Sequence, residues 1–151
     1  MSNGTMIVKR SGAKEPLNID KIHFVVEEAC NGLAGVSSSQ IEMNANLQFY
    51  DGMSTSEIQE ILVRSANDLI SLDVPNYQFA AARLLGYSVN KEVFGRYSPI
   101  SLREMIDLNI KRGVYDAEIL EWYTDEELER LDSYIHHKRD ENFTYAGLRQ
   151  V

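Results

Sequence analysis

What this chain lacks narrows its class before any motif is read. It has one cysteine in 151 residues, Cys30. That excludes an intramolecular disulfide and any zinc site built on clustered thiols, and it fits a reducing cytoplasm. No apolar run approaches the ~20 residues of a membrane span, and the first ten residues, MSNGTMIVKR, lack the apolar core of a signal peptide. Basic residues are in deficit: 15 Lys and Arg against 23 Asp and Glu leave a net charge of −8. Wrapping a nucleic acid needs a basic face, so the balance argues against that role. There is no GxxxxGK[ST] loop, no GxGxxG, no nucleophile elbow and no repeat at a solenoid period. The apolar fraction of 44% is ordinary for a globular chain and excludes the disordered and low-complexity classes.

The charge that is present is unevenly placed. Residues 1–24 carry Lys9, Arg10, Lys14 and Lys21 against Glu15 and Asp20, a net of +2, and the other 127 residues carry −10. A small basic head on an acidic body suits one compact anion, such as a nucleoside triphosphate, better than a long polyanion. The same lysines also read as simply solvated.

Patterning predicts a mainly helical chain behind a short hairpin. Residues 5–9 (TMIVK) read as a strand, Ser11-Gly12 as a turn and residues 13–17 as a return strand that Pro16 confines to an edge. Asn18 reads as the N-cap of a helix whose apolar face is Ile19, Ile22, Val26, Ala29 and Leu33, closed by Gly32 and Gly35. Ser37 or Ser38 opens a second helix to about Tyr50, broken by Asp51-Gly52. Ser54 caps a third, with Ile58, Ile61, Leu62, Ala66, Leu69 and Ile70 as its stripe. A fourth runs over about 76–95, and GRYSP at 95–99 reads as a linker. Beyond it, helices are predicted over 101–112, 116–123, from Thr124 to near Lys138 with Leu128, Leu131 and Ile135 inward, and over 142–150. Their apolar faces look too sparse to close a core, so they are expected to pack on the first 95 residues or on a further polypeptide.

The candidate chemistry centres on the hairpin and the helix start beside it. A helix N-terminus presents unpaired N–H groups and partial positive charge to anions. Lys9 and Arg10 add point charges for phosphates, while Glu15 and Asn18 offer an acceptor and an amide for an adenine edge. A plain α+β domain is the competing reading. Thr55 and Gln59 lie one turn apart on the third helix, where Thr55 also fits a Ser-Thr-Ser capping cluster. Lys91 also fits as a cation complementing its helix C-terminus. Asp132 and His136, four apart, make at most a two-ligand zinc site, and His23 and the Glu27-Glu28 and Asp125-Glu126-Glu127 runs read as solvated or capping groups.

IVKRSGAKEPLNIDKI, FYDGMSTSEIQEILVRSANDLIS and PNYQFAAARLL together resemble the ATP-cone domain of ribonucleotide reductases. FGRYSP and RDENFTYAGLRQ resemble the helical region that follows it in the class I reductase large (α) chain. The resemblance is colinear over residues 5–150. It implies a mainly α fold: a β-hairpin packed on a four-helix cone at 1–95, then the start of the large-subunit helical region at 96–151, stopping before the catalytic barrel. It implies an allosteric activity switch in which ATP activates and dATP inhibits, with Mg as companion ion. Lys9, Arg10 and Lys91 would meet the phosphates, Glu15 and Asn18 the adenine, and Lys21 and Thr55 the sugar and phosphate. Ile7, Leu17, Ile22 and Ile58 would line the base pocket, and Ile19, Asp20 and Gln59 would complete the site. Position 59 is Gln where close relatives often have His, and position 88 is Ser where some have His.

The same resemblance implies no catalytic residue and no metal ligand in this stretch, since Cys30 matches no catalytic cysteine, so the chain alone is expected to be inactive. It implies three partners: the remaining catalytic part of the large subunit, the radical-generating small subunit and further copies of the chain. A membrane is not among them, nor is nucleic acid, and the expected compartment is the cytoplasm of the cell or of an infected host cell. A split-gene product and a fragment are both open. Two alternatives stand beside the switch. One is a degenerate cone kept for assembly. The other is a nucleotide-sensing repressor, disfavoured by the missing four-cysteine zinc ribbon and the acidic charge.

Overall fold

In the computed structural model, which describes residues 4–151, the chain begins with strand β1 (Met6–Val8), paired antiparallel with β2 (Lys14–Pro16) so that Ile7 faces Glu15. Residues 1–3 of the expected 1–95 unit lie outside the described residues. The turn is tight: Lys9 N–H donates to the Ala13 carbonyl at 2.8 Å, and Gly12 sits at φ +83°, where a side chain would be strained. Two short strands alone are marginal, and the free edge of β1 is braced. Met6 N–H donates to Asp51 Oδ1 (2.7 Å), Gly52 N–H to the Met6 carbonyl (2.7 Å) and Val8 N–H to the Met53 carbonyl (2.9 Å). Pro16 is tolerated because it faces Met6, whose carbonyl accepts the Gly52 N–H and needs no donor from β2.

Four helices follow: α1 (Ile19–Cys30), α2 (Ser38–Asn46), α3 (Thr55–Asn67) and α4 (Tyr77–Phe94). Asn18 Oδ1 accepts the Lys21 N–H at 3.0 Å, and Ser54 forms a capping box with Glu57, as their residue types require. α1 stops at Cys30, before Leu33, where Gly32 takes φ +73°, and Arg83 Nη1 donates to the Ala29 and Asn31 carbonyls (3.2 and 2.8 Å), joining α1 to α4. Ile19 is half exposed and does not belong to the apolar face. α2 ends four residues before Tyr50. Tight bonds from Gln48 and Phe49 N–H to the Ala45 and Asn46 carbonyls turn the chain, Phe49 packs on the core, and the Gln48 amide reaches the buried Ser65 hydroxyl. Ile70 lies beyond the end of α3 and is exposed.

Val26, Ile41 and Met53 are fully buried, and Ala80 and Ala81 let α4 approach its neighbours closely. Each large side chain so buried contributes about 1.5–3 kcal/mol. Tyr77, also buried, keeps its hydroxyl satisfied by donating to Gln40 Oε1 (2.8 Å) and accepting from Ser37 N–H (3.1 Å), which ties α4 to α2.

Beyond Gly95 lie α5 (Leu102–Lys111), α6 (Ile119–Trp122), α7 (Asp125–Asp132), a 3₁₀ turn (His137–Asn142) and α8 (Tyr145–Arg149). α5 and α7 pack on each other around Ile106 and Leu128, and both open with a capping box. The 3₁₀ turn and α8 pack on α4. α7 is shorter than its pattern predicts, and Leu131 and Ile135 are exposed. The Ser133 hydroxyl donates back to the Arg130 carbonyl (2.6 Å) as the chain turns away. Asp132 and His136 therefore share no helix face, and Asp132 Oδ1 instead accepts the Leu102 N–H at 2.8 Å. α6 and α8 are likewise shorter than 116–123 and 142–150. Among the described residues, no helix is long and apolar enough to cross a membrane.

Candidate functional site

The hairpin, the start of α1, one face of α3 and the end of α4 enclose a cleft of about 450 Å³, within the range of small-molecule sites, roughly 300–1,000 Å³. Thr55, Ile58, Gln59 and Leu62 reach it from α3 at helical spacing, because the Val8 and Ser54 backbones pair and set the first turn of α3 beside β1. Asn18, Lys21, Ile22 and Val25 reach it from α1. The floor is apolar: Ile7, Leu17, Ile22, Val25, Ile58 and Leu62.

The polar side is cationic. Lys9, Arg10, Lys21 and Lys91 line the cleft, with Glu15 as the single carboxylate among the described lining residues. Lys9 Nζ lies 2.7 Å from Glu15 Oε2. This hydrogen bond, with the charges of Lys9 and Lys21, holds the Glu15 carboxyl below the usual glutamate range. Asn18 spends its carbonyl oxygen on the α1 cap, which leaves the amide N–H₂ to donate into the cleft. At the far side the Ser88 hydroxyl donates to Gln59 Oε1 (3.1 Å), and Gln59 Nε2 donates to the Tyr97 hydroxyl (3.4 Å). Positions 59 and 88 are thus one hydrogen-bonded unit.

Twelve of the fourteen residues singled out in the sequence line this cleft. Ile19 and Asp20 do not; they border a shallow depression outside it, with Glu15, Pro16, Leu17, Asn18 and Lys21. The sequence reading missed Ser11, Val25, Leu62 and Tyr97. Val25 and Leu62 were legible from helical spacing, each three or four positions from a chosen neighbour. Tyr97 was not, since it follows a helix stop and reads as linker.

Outside the cleft, His23 and Cys30 are among the groups with shifted ionisation. His23 Nδ1 meets Glu42 Oε1 at 2.9 Å and Nε2 meets Glu27 Oε1 at 3.2 Å, which joins α1 to α2. The Glu42 hydrogen bond, then the Glu42 and Glu27 charges, raise its pKa. Burial pushes the Cys30 thiol up to about 11. Among the described residues, no three His, Cys, Asp or Glu side chains cluster as metal ligands.

A hairpin and four helices gather cations over an apolar floor, an arrangement suited to an anionic ligand with an apolar face. The ATP cone domain family matches residues 5–92, and the chain belongs to that family. Over its whole 151 residues the chain is 42% identical to ribonucleoside-diphosphate reductase 1 subunit alpha of Escherichia coli (strain K12), covering 20% of that protein. It is 40% identical to the subunit alpha of Haemophilus influenzae, again over the whole chain and 20% of the relative. Against the subunit alpha of Enterobacteria phage T4 the identity is 37% over 147 residues, 96% of this chain and 19% of the relative. The chain spans about a fifth of the length of these curated relatives. Identity over the full chain extends the likeness past residue 92 through α5 to α8.

Proposed function

We propose that the cleft binds ATP and dATP as effectors, and that the chain is the regulatory N-terminal region of a ribonucleoside-diphosphate reductase large subunit, with ATP activating and dATP inhibiting. The observation that carries this reading is the pairing of four cations with an apolar floor in one cleft beside the capped start of α1. Arg10, Lys9 and Lys91 hold the phosphates by charge-assisted hydrogen bonds. The adenine lies between Ile7, Leu17, Ile22 and Ile58. Its exocyclic amine donates to Glu15, and a ring nitrogen accepts from the Asn18 amide. Lys21 and Thr55 reach the sugar and α-phosphate.

ATP and dATP differ by one ribose hydroxyl, so the switch needs two states of the protein in which that hydroxyl is met differently. The donor set fits phosphate oxygens and not a resident metal: the single carboxylate of the cleft is already paired with Lys9. Magnesium, where it accompanies the nucleotide, would be carried by the nucleotide's own phosphates and not by side chains of this cleft. The acidic balance of −8 disfavours nucleic acid as a partner. The partners of this reading are the rest of the large subunit, the small radical-generating subunit and further copies of the chain, and its compartment is the cytoplasm.

Titration calorimetry of the 151-residue chain with ATP and dATP tests the reading. Saturable binding of both, weakened together in Lys9→Ala, supports it. Absence of heat and of thermal stabilisation with either nucleotide overturns it and leaves an assembly domain.

A further inference from the structure

Tyr97 belongs to no helix or strand, yet it contacts two residues of the cleft, Gln59 and Lys91. Gly95 closes α4 at φ +74° and turns the chain back on itself. Asn90 Nδ2 then donates to the Tyr97 carbonyl oxygen at 2.9 Å. The ring lies against the end of α4, with Tyr87 packed edge-on at 6.5 Å between centroids and Lys91 Nζ 5.1 Å from the ring centre. Its hydroxyl receives the Gln59 amide, which the Ser88 hydroxyl fixes from behind.

Lys9 and Lys91 are held in different ways. Lys9 is held by a carboxylate that neutralises it. Lys91 forms no ion pair among the described residues and is held by a π face, which restrains a cation without cancelling its charge. A flexible lysine loses rotamer freedom when it grips a phosphate, and a seat that restrains it beforehand lowers that cost.

We propose that Tyr97 is a positioning residue for the polyphosphate of the effector, acting through Lys91, whose ammonium its ring seats at the phosphate end of the cleft. The Ser88 and Gln59 pair holds the ring in that pose. Neither side chain of the pair titrates, so the seat keeps its shape across the physiological pH range. The inference rests on the nucleotide reading above and adds to it a residue from the connector that leads directly into α5.

The test is calorimetric titration of the 151-residue chain with ATP and with AMP, using Tyr97→Leu, Tyr97→Phe, Lys91→Ala and the Tyr97→Leu/Lys91→Ala double variant. Tyr97→Leu is expected to weaken ATP binding by about three- to tenfold, the span of a partly exposed cation–π contact, and to leave AMP binding unchanged. Tyr97→Phe keeps the ring face but loses the hydroxyl that receives the Gln59 amide, and is expected to weaken ATP binding less than Tyr97→Leu does. In the Lys91→Ala background, Tyr97→Leu is expected to add nothing, because the two act as one unit. An unchanged ATP affinity in Tyr97→Leu overturns the proposal, as does an equal loss for ATP and AMP or a full loss that persists without Lys91.

A measurement on the unsubstituted protein stands beside these variants. The ring current of Tyr97 must shift the Lys91 ε-methylene protons upfield, and ATP must move them. Unshifted protons overturn the proposal even if Tyr97→Leu fails to fold. An unsubstituted chain that binds neither nucleotide ends the nucleotide reading and this inference with it. Binding that is insensitive to the whole Tyr97 series ends this inference alone.

Discussion

The chain up to the end of α4 and the chain beyond it are both helical, but they are stabilised differently. Seventeen of the nineteen buried apolar side chains among the described residues lie between Ile7 and Leu84, and only Ile106 and Leu128 lie after them. The first region is a core with a cleft set into it. The second is held by end effects: capping boxes at Ser101 and Thr124, the Asp132 carboxylate on Leu102 N–H, and Arg103 between Asp107 and Asp125. Exposed ion pairs and caps each contribute little, about 0–2 kcal/mol, so the second region leans on what it touches. Its 3₁₀ turn and α8 touch α4, while Trp122 and Tyr134 remain two-thirds exposed. The lesson is that local helix signals and burial are separate properties, and only the first region has both.

The largest expected effect tests that contrast directly. Ile41→Ala, at a fully buried position, should cost about 2–5 kcal/mol in urea unfolding. Leu128→Ala, in a two-residue satellite cluster, should cost less than half of that. Equal losses with an unchanged denaturant slope would show one cooperative core and erase the distinction.

Next comes the cleft. Lys9→Ala and Lys91→Ala should each weaken ATP binding by ~1–3 kcal/mol, with Lys9→Ala the larger. Removing Lys9 also strips the adenine-facing Glu15 of its ion-pair partner. A larger loss from Lys91→Ala would mean that this pairing does not contribute to binding.

Smaller effects report on opening of the first region. With its thiol pKa pushed to about 11 by burial, Cys30 should react with iodoacetamide at pH 8 slowly in the folded chain and rapidly in urea. Fast alkylation of the folded protein would show that α1 and α4 part readily.

The smallest effects are titrations. The pKa of His23 is raised above its ordinary 6.5. Its link between α1 and α2 is therefore fully present below 6.5 and is lost as pH rises through the raised value. His23→Ala should lower the melting temperature at pH 6 and leave it nearly unchanged at pH 9. Glu15 is depressed below 4.5, so its contribution is present above 4.5 and fades as pH falls through the folded value. Glu15→Gln should accordingly differ from the parent at pH 7 and converge with it in acid. Melting curves across pH check both signs.

Much of the first region was legible because its signals are local: Asn18 and Ser54 as caps, Gly12 in a turn, and helical stripes through Ile22 and Ile58. The cleft residues were legible for a different reason, the colinear resemblance, which carried Thr55 and Lys91 into one site from opposite ends of the unit. What stayed hidden was tertiary. Nothing local to Ser133 says that α7 stops there, nor does anything local to Tyr97 say that a connector tyrosine folds back over a lysine six positions earlier. Ile19 and Asp20 border the adjoining depression rather than the cleft because the first turn of a helix presents neighbouring residues to different sides.

The central claim is that an adenine nucleotide occupies the cleft between the hairpin, α1, α3 and the end of α4. Amide chemical-shift mapping of the isotope-labelled chain during ATP addition tests it most directly. The account predicts saturable shifts concentrated at residues 9–22, 55–62 and 91–97, with 102–149 nearly silent. Shifts confined to α5 through α8, or none at saturating ATP, would contradict it.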